Sequence, residues 1–102
     1  MALNNDITAE ELKELLESDT KIVLVDVRED YEFEEDNLDG KLIPLGELPD
    51  RLDELEEYKD QDIYIHCRSG ARSARAKQYL EQSGFEKVHN VLGGILAYRD
   101  LE

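Results

Sequence analysis

Two runs of branched apolar residues constrain the fold of this chain most strongly. Ile22–Val27 and Ile63–His66 are almost continuously apolar, which is typical of strands covered on both faces in a parallel sheet. A capping box at Thr8–Glu11 and leucines at positions 12, 15 and 16 predict a helix that precedes the first run and ends near Ser18. Because helical patterns also follow the runs, we predict βαβ units, a mainly parallel sheet and helices on both of its faces.

The remaining segments continue this alternation of helices and strands. In chain order we predict an acidic helical turn at Glu29–Asp36, a short strand at Leu42–Leu45, a helix opened by Pro49, a helix at Ser73–Gln82 capped by Gly84, a strand at Val88–Val91, and a short helix from Gly93-Gly94 through Tyr98. The final pair, Leu101-Glu102, is treated as a candidate cloning remnant and carries no weight in these predictions.

Length and charge exclude several classes of function. The chain has 102 residues, the size of one domain, and its formal charge is 12 − 26 = −14. This acidity argues against nucleic acid or an anionic membrane as the main partner, since both require a basic surface. The single cysteine excludes an intramolecular disulfide and a multi-cysteine zinc site. The start, Met1–Asp6, has neither the basic nor the apolar region of a leader, so we expect a soluble cytoplasmic protein.

The charges are distributed unevenly along the chain. The stretch Ile63–Leu80 contains no acid and four bases, which makes it +4 and the remainder −18. This indicates either an ordinary basic helix surface or a local anion site at a strand–loop–helix junction, where open α/β sheets bind ligands. Glu29–Asp39 contains seven acids and no base. We interpret this acidic run as a solvated face, with docking to a basic partner and salt adaptation as open alternatives.

The segment Cys67–Ser73 carries the strongest chemical signal. It joins a buried strand to a helix N-terminus, where backbone N–H groups can converge into an anion-binding nest, and Gly70 permits the tight loop that this requires. The helix dipole and two arginines favour a thiolate at Cys67; the alternative is a buried, inert cysteine. His66 points to the opposite face of its strand and is a poor partner for a Cys–His dyad. His89 lacks ligand spacing to Cys67, so no metal site is predicted.

Taken together, the motifs resemble those of single-domain rhodaneses over nearly the whole chain. The matching segments are Val25–Glu29, Ile43–Leu48, Cys67–Ser73, Gly84-Phe85 and Val91–Tyr98. The resemblance implies a three-layer α/β/α fold with a five-stranded parallel sheet, and sulfurtransferase chemistry of the thiosulfate:cyanide type through a cysteine persulfide. It implies that Cys67 carries the sulfur and that backbone amides cradle it, the loop residues being Arg68, Ser69, Gly70, Ala71, Arg72 and Ser73.

The resemblance also implies a mechanism and partners. Cys67 would attack the outer sulfur of thiosulfate or a persulfide, with Arg68 and Arg72 attracting the anion. No cofactor is implied. Because the chain has no second cysteine, the acceptor must be external: a small thiol, cyanide or the cysteine of a partner protein. Asp26 and Arg28 are expected to support the neighbouring turn, with a role in stabilising the fold.

Two alternative functions remain open from the sequence. Related cell-cycle phosphatases have a loop one residue longer, so we rank a cysteine-dependent phosphatase or arsenate reductase below a sulfurtransferase. A non-catalytic binding module is the second alternative. Two segments depart from the family pattern: Asn37–Lys41 is one residue short of the usual His-Ile-Pro-Gly-Ala-like stretch, and Tyr98 replaces the usual tryptophan. Tyr98 and Phe33 are interpreted as ordinary core or rim aromatics.

Overall fold

The computed structural model describes residues 5–102. The expectation about a leader was based on Met1–Asp6, and residues 1–4 of that segment lie outside the described residues. The helices are α1 (Ala9–Glu17), α2 (Asp30–Glu35), α3 (Ala71–Gln82) and α4 (Gly94–Asp100); the strands are β1 (Val23–Asp26), β2 (Lys41–Leu42), β3 (Ile63–His66) and β4 (Val88–Asn90); and a 3-10 helix spans Leu45–Tyr58.

The sheet is entirely parallel, but it has fewer strands than predicted. Within residues 5–102 it contains four strands in the order β2-β1-β3-β4, so the prediction of five strands is wrong. Beyond β4, Ile7 forms a single parallel bridge with Val91. The next residue, Thr8, is already the N-cap of α1, so the chain leaves the sheet after one bridging residue. The capping box predicted at Thr8 is confirmed, since Thr8 and Glu11 bond each other's backbone amides.

Alternate side chains of the central strands face two separate apolar layers, which confirms helices on both faces of the sheet. Leu24 of β1 packs with Leu12 of α1 and with Tyr98 of α4. The neighbouring Val25 faces the opposite side, where it joins a larger cluster that includes Leu55 of the 3-10 helix. Other members of this larger cluster are Ile63, Ile65, Ala76, Leu80, Phe85 and Val88. The resulting order of layers is helix, sheet, helix.

Several predicted boundaries differ from those observed. Pro49 does not open a helix, because the 3-10 helix has already begun at Leu45 and contains Pro49. Arg51 has non-helical torsion angles and divides this helix into two pieces. The strand predicted at Leu42–Leu45 is confined to β2, because the 3-10 helix starts where that prediction ended. α3 begins two residues before the predicted Ser73, since the left-handed Gly70 is its N-cap.

The parallel arrangement brings the carboxyl ends of β1 and β3 to one edge of the sheet. Asp26 is paired in register with His66, the residue before Cys67. The amide of Val27 then donates to the carbonyl of His66 at 3.1 Å. α4 joins this edge because the amide of Ile95 donates to the Cys67 carbonyl at 2.9 Å. No helix within residues 5–102 is both long and apolar enough to span a membrane.

Candidate active site

The loop after β3 wraps its backbone around the sulfur of Cys67. Sγ accepts hydrogen bonds from the amide of Gly70 at 3.1 Å and from the amide of Ser73 at 3.4 Å. The hydroxyl of Ser73 lies 3.4 Å from the same sulfur. The cysteine is almost fully buried at the base of the loop. Its neighbours are apolar on the sheet side, but the loop amides converge on the sulfur, which is the arrangement of an anion-binding nest.

Two glycines allow this loop to close tightly. Gly70 has a φ of 110°, in the left-handed region that side chains disfavour, and its carbonyl accepts the first helical bond of α3 from Ala74. Gly94, the first residue of α4, lies directly against the carbonyl oxygens of Cys67 and Arg68. A Cβ at position 94 would overlap both oxygens. The Gly93-Gly94 pair therefore lets α4 approach the back of the loop.

The pKa of Cys67 lies below the usual value for a thiol. Burial is the largest influence and by itself raises the pKa, because it disfavours the charged form. The hydrogen bonds together outweigh burial: the Ser73 hydroxyl contributes most, followed by the amides of Ser73, Gly70 and Ser69. No bond to the sulfur is seen from the amides of Arg68, Ala71 or Arg72, so the predicted cradle is formed by part of the loop.

Asn90 fixes the side of the loop that faces the end of β4. Its Oδ1 lies 2.5 Å from the Ser73 hydroxyl, and its Nδ2 donates to the Gly70 carbonyl at 3.4 Å. The Gly70 carbonyl lies 3.2 Å from the same hydroxyl, so Asn90, the Gly70 carbonyl and the sulfur compete for one Ser73 proton. Sequence reasoning missed Asn90 because it is a single polar residue at the end of a buried strand, with no motif around it.

Arg72 is held by a carboxylate of α2. Its two terminal nitrogens contact Oε1 and Oε2 of Glu32 at 2.7 and 2.9 Å, a bidentate pair joining the cysteine loop to the acidic run. The hydrogen bond to Arg72 is the main reason that the pKa of Glu32 is lowered to about 2. Arg72 also interacts electrostatically with Cys67. The predicted anion-binding arginine is therefore close to the sulfur, but its charge is already paired.

Asp26 and Arg28 form a buried ion pair that anchors α2 to the sheet. Arg28 Nη2 donates to Asp26 Oδ2 at 2.7 Å, and Nε contacts both carboxylate oxygens. The remaining guanidinium donors reach the carbonyls of Glu32 at 3.3 Å and of Asp36 at 2.7 Å, near the end of α2. The supporting role expected for Asp26 and Arg28 stays a prediction. The effect of this pair on the site is indirect, since it fixes the helix that supplies Glu32.

His66 lies behind the site and does not contact the sulfur. Its Nδ1 is 3.3 Å from the carbonyl of Cys67, and Nε2 is 3.6 Å from Oδ2 of Asp26. Burial is the main reason that the pKa of His66 is lowered, so the ring is neutral near pH 7. The predicted core histidine is thus found on the opposite face of β3 from the sulfur.

Exposed bases and exposed apolar side chains occur on the loop and on neighbouring elements. Arg68 and Arg75 are exposed, and among residues 5–102 no ion pair of either is seen. Within residues 5–102, the large hydrophobic side chains with the highest exposed fraction are Tyr31 at 64%, Leu92 at 48% and Leu96 at 44%. Leu96 adjoins the loop through its amide, which donates to the Arg68 carbonyl.

The two departures from the expected pattern lie away from the sulfur. Asn37 closes a turn by accepting from the amide of Asp39, whose φ is 62°; this turn replaces the longer stretch. Tyr98 packs in the smaller apolar layer and lines a cavity of about 780 Å³ beside β2. Neither departure adds a side chain to the cysteine loop.

His89 lies on β4, where its ring bonds Asp62 and stacks on Tyr64.

Comparison with known proteins identifies the family. The rhodanese-like domain family matches residues 8–101. This chain is a member of the rhodanese family. A sulfurtransferase of Allochromatium vinosum is 39% identical to this rhodanese, with 92% of this chain and 87% of the relative covered. The putative sulfurtransferase YtwF of Bacillus subtilis is 38% identical, with 91% and 88% covered.

A solved structure supports the same assignment. The rhodanese-like domain protein of Staphylococcus aureus superimposes with a TM-score of 0.83 at 38% identity, covering 93% of this chain and 90% of that one. The fold predicted for this rhodanese is thereby confirmed at the level of an α/β fold with a parallel sheet. Sequence reasoning did not single out Glu32, because Glu32 is one of seven acidic residues in Glu29–Asp39 and nothing in the sequence distinguishes it from the others.

Proposed function

We propose that this protein is a sulfurtransferase in which Cys67 accepts a sulfane sulfur and holds it as a persulfide. The observation that carries the proposal is the convergence of the Gly70 and Ser73 amides on a buried sulfur whose pKa is lowered. These donors stabilise the thiolate before the reaction and the negative persulfide after it. Relatives at 39% and 38% identity that are named as sulfurtransferases support the same chemistry.

The reaction proceeds as a double displacement. The Cys67 thiolate attacks the sulfane sulfur of a donor, either thiosulfate or a persulfide, and the S–S bond of the donor breaks. With thiosulfate the leaving group is sulfite; with a persulfide it is a thiolate, which takes up a proton. The persulfide on Cys67 then passes its outer sulfur to an external acceptor, a thiol or cyanide, and regenerates the thiolate.

Intact-mass measurement after incubation with a donor tests this proposal. We expect the protein to gain the mass of one sulfur atom, and cyanide to remove that mass with release of thiocyanate. The variant Cys67→Ser is expected to gain nothing, whereas Thr20→Ala, at an exposed position outside the cysteine loop, is expected to load normally. If thiosulfate and a persulfide both leave the mass unchanged, the proposal is wrong.

A phosphatase assay separates the main alternative. The six-residue loop from Cys67 to Arg72 suits a persulfide better than a phosphoryl group, so we expect no release of phosphate from an aryl phosphate. Cys67-dependent hydrolysis of that substrate without sulfur loading would replace the proposal by the phosphatase hypothesis. A non-catalytic module would show neither reaction in the purified chain.

A further inference from the structure

The ion pair between Arg72 and Glu32 neutralises a positive charge close to Cys67. Both terminal nitrogens of Arg72 are engaged by the carboxylate, and the Glu32 side chain is only 14% exposed. A pair of this geometry neutralises the charge that would otherwise meet an incoming anion. Arg68 remains on the loop, but it is exposed to solvent, where its attraction for an anion is screened.

Glu32 is fixed in this position by its own helix. Its Oε1 accepts from the amide of Glu29 at 3.0 Å, and its amide donates to the Glu29 carbonyl at 3.0 Å, so a capping box holds the side chain at the start of α2. Arg28 binds the Glu32 carbonyl from the sheet side. The carboxylate is therefore already in place before any donor arrives, and a donor must compete with it for Arg72.

The surroundings disfavour a small dianion as well. Other carboxylates of the same segment are exposed beside Glu32, and the chain as a whole has a charge of −14. Each exposed charge singly is screened by salt, but the summed negative charge still lowers the local concentration of a multiply charged anion more than that of a singly charged or neutral one. These exposed acids are Glu29, Asp30, Glu34 and Glu35.

We propose that Glu32 determines donor specificity at this site by withholding Arg72 from dianionic donors, so that the favoured donor is a persulfide rather than thiosulfate. This inference rests on the proposed sulfurtransferase function. In the favoured step the Cys67 thiolate bonds to the terminal sulfur of R–S–SH, and the bond between the two donor sulfurs breaks. The thiolate R–S⁻ leaves and is protonated by solvent, so no oxidant or reductant is consumed.

The test compares two donors in single-turnover loading of Cys67 followed by intact mass. The donors are thiosulfate, a dianion, and an alkyl hydropersulfide with no other ionisable group, which carries at most one negative charge, and the variants are Glu32→Gln and Glu34→Gln. In Glu32→Gln the amide side chain keeps the oxygen needed for the capping box while the ion pair is weakened. Glu34→Gln is the matched control, because it removes the same charge from an exposed position of the same helix.

We expect the wild type to load faster from the hydropersulfide than from thiosulfate. Glu32→Gln is expected to raise the thiosulfate rate constant about tenfold, the lower part of the range for a charge-assisted hydrogen bond, and to change the hydropersulfide rate constant by less than about threefold. Glu34→Gln is expected to alter the ratio of the two rate constants by less than about twofold, since a surface charge is largely screened. In the double variant Glu32→Gln with Arg72→Gln, the gain with thiosulfate is expected to disappear.

The possible outcomes distinguish a failure of this inference from a failure of the proposed sulfurtransferase function. If both donors load Cys67 but Glu32→Gln matches Glu34→Gln, the specificity role of Glu32 is refuted and the sulfurtransferase function stands. A gain that persists in the double variant refutes the role of Arg72, and faster loading of the wild type from thiosulfate refutes the donor preference. If no variant is loaded by either donor, both proposals fail.

Discussion

The buried ion pair beneath the site gives the sharpest prediction about stability. Asp26 is fully buried, and Arg28 is 4% exposed. In Asp26→Asn the shape and the bond from the Arg28 amide to Oδ1 are kept, but the guanidinium loses its counter-charge. Breaking a buried pair by removing one partner costs about 3–5 kcal/mol of unfolding free energy, because the remaining charge stays buried without compensation.

The lower end of that range applies here. Arg28 keeps its bonds to the carbonyls of Glu32 and Asp36, which partly solvate the guanidinium. We therefore expect Asp26→Asn to lower the free energy of unfolding by about 3 kcal/mol, a large fraction of the ~5–15 kcal/mol typical of a domain. At several degrees per kcal/mol, this corresponds to a fall of about 15 °C in Tm.

Urea unfolding followed by far-UV circular dichroism measures the effect. A matched control is Asp62→Asn, which also removes a carboxylate that contacts a histidine, but at a side chain that is 54% exposed. We expect Asp62→Asn to cost less than about 1 kcal/mol, as for other surface pairs. A loss below about 1 kcal/mol in Asp26→Asn, or equal losses in the two variants, would refute the assignment of Asp26–Arg28 as the anchor of α2.

Three further predictions concern the loop and its contacts. Ser73→Ala is expected to raise the pKa of Cys67, because the variant lacks the hydroxyl that contributes most to lowering it, and so to move the pH midpoint of alkylation by iodoacetamide upward, while Thr20→Ala, at an exposed position outside the loop, leaves it nearly unchanged; equal midpoints in wild type and Ser73→Ala would contradict the assigned hydroxyl contribution. Gly94→Ala is expected to abolish most sulfur loading and to lower Tm, because its Cβ would overlap the Cys67 carbonyl; Gly46→Ala, where a Cβ meets nothing within 4 Å, is its control, and unchanged loading in Gly94→Ala would contradict the packing argument. The pKa of Glu32 is about 2 in the folded chain against 4.5 for the free side chain, so its stabilisation is present above pH 4.5 and is lost as the pH falls toward 2; Glu32→Gln is expected to be less stable than the wild type near neutral pH but equal to it near pH 2, and a difference that does not vary with pH would contradict the ion pair.

The fold could be predicted to the extent that it follows from local pattern. β1 and β3 were recognisable because their apolar runs are nearly continuous, and α1 because Thr8 and Glu11 have the spacing of a capping box. The fifth strand was inferred from family resemblance and is reduced to one bridge at Ile7. No local pattern distinguishes a bridge from a strand when a helix cap follows at the next residue.

The site was predictable in its centre but not in its partners. Cys67 and Gly70 are adjacent in sequence to the strand and helix that position them, so the nest follows from a short segment. Glu32 meets Arg72 across a separation of 40 residues, and Asn90 reaches Ser73 across 17. These contacts depend on which strand ends lie side by side in the sheet. The spacing of residues along the sequence does not show which strands are neighbours.

Under the proposed function, the acidic segment has two roles that its composition does not reveal. Glu32 is turned toward the loop because Arg28 fastens the α2 backbone to Asp26 and the Glu29 amide fixes the Glu32 carboxylate. The same helix geometry directs the neighbouring acids to solvent, where they contribute to the negative electrostatic field around the cysteine loop. If Glu32 determines donor specificity as proposed, the buried pair at the end of β1 contributes indirectly, because it fixes the helix that supplies Glu32. On this reasoning Asp26→Asn, where it still folds, is expected to shift donor preference toward thiosulfate by less than Glu32→Gln does, because Arg28 still binds the α2 carbonyls but no longer fixes α2 firmly to the end of β1. Single-turnover loading from the two donors measures this shift, and a ratio of rate constants equal to that of the wild type would contradict the coupling.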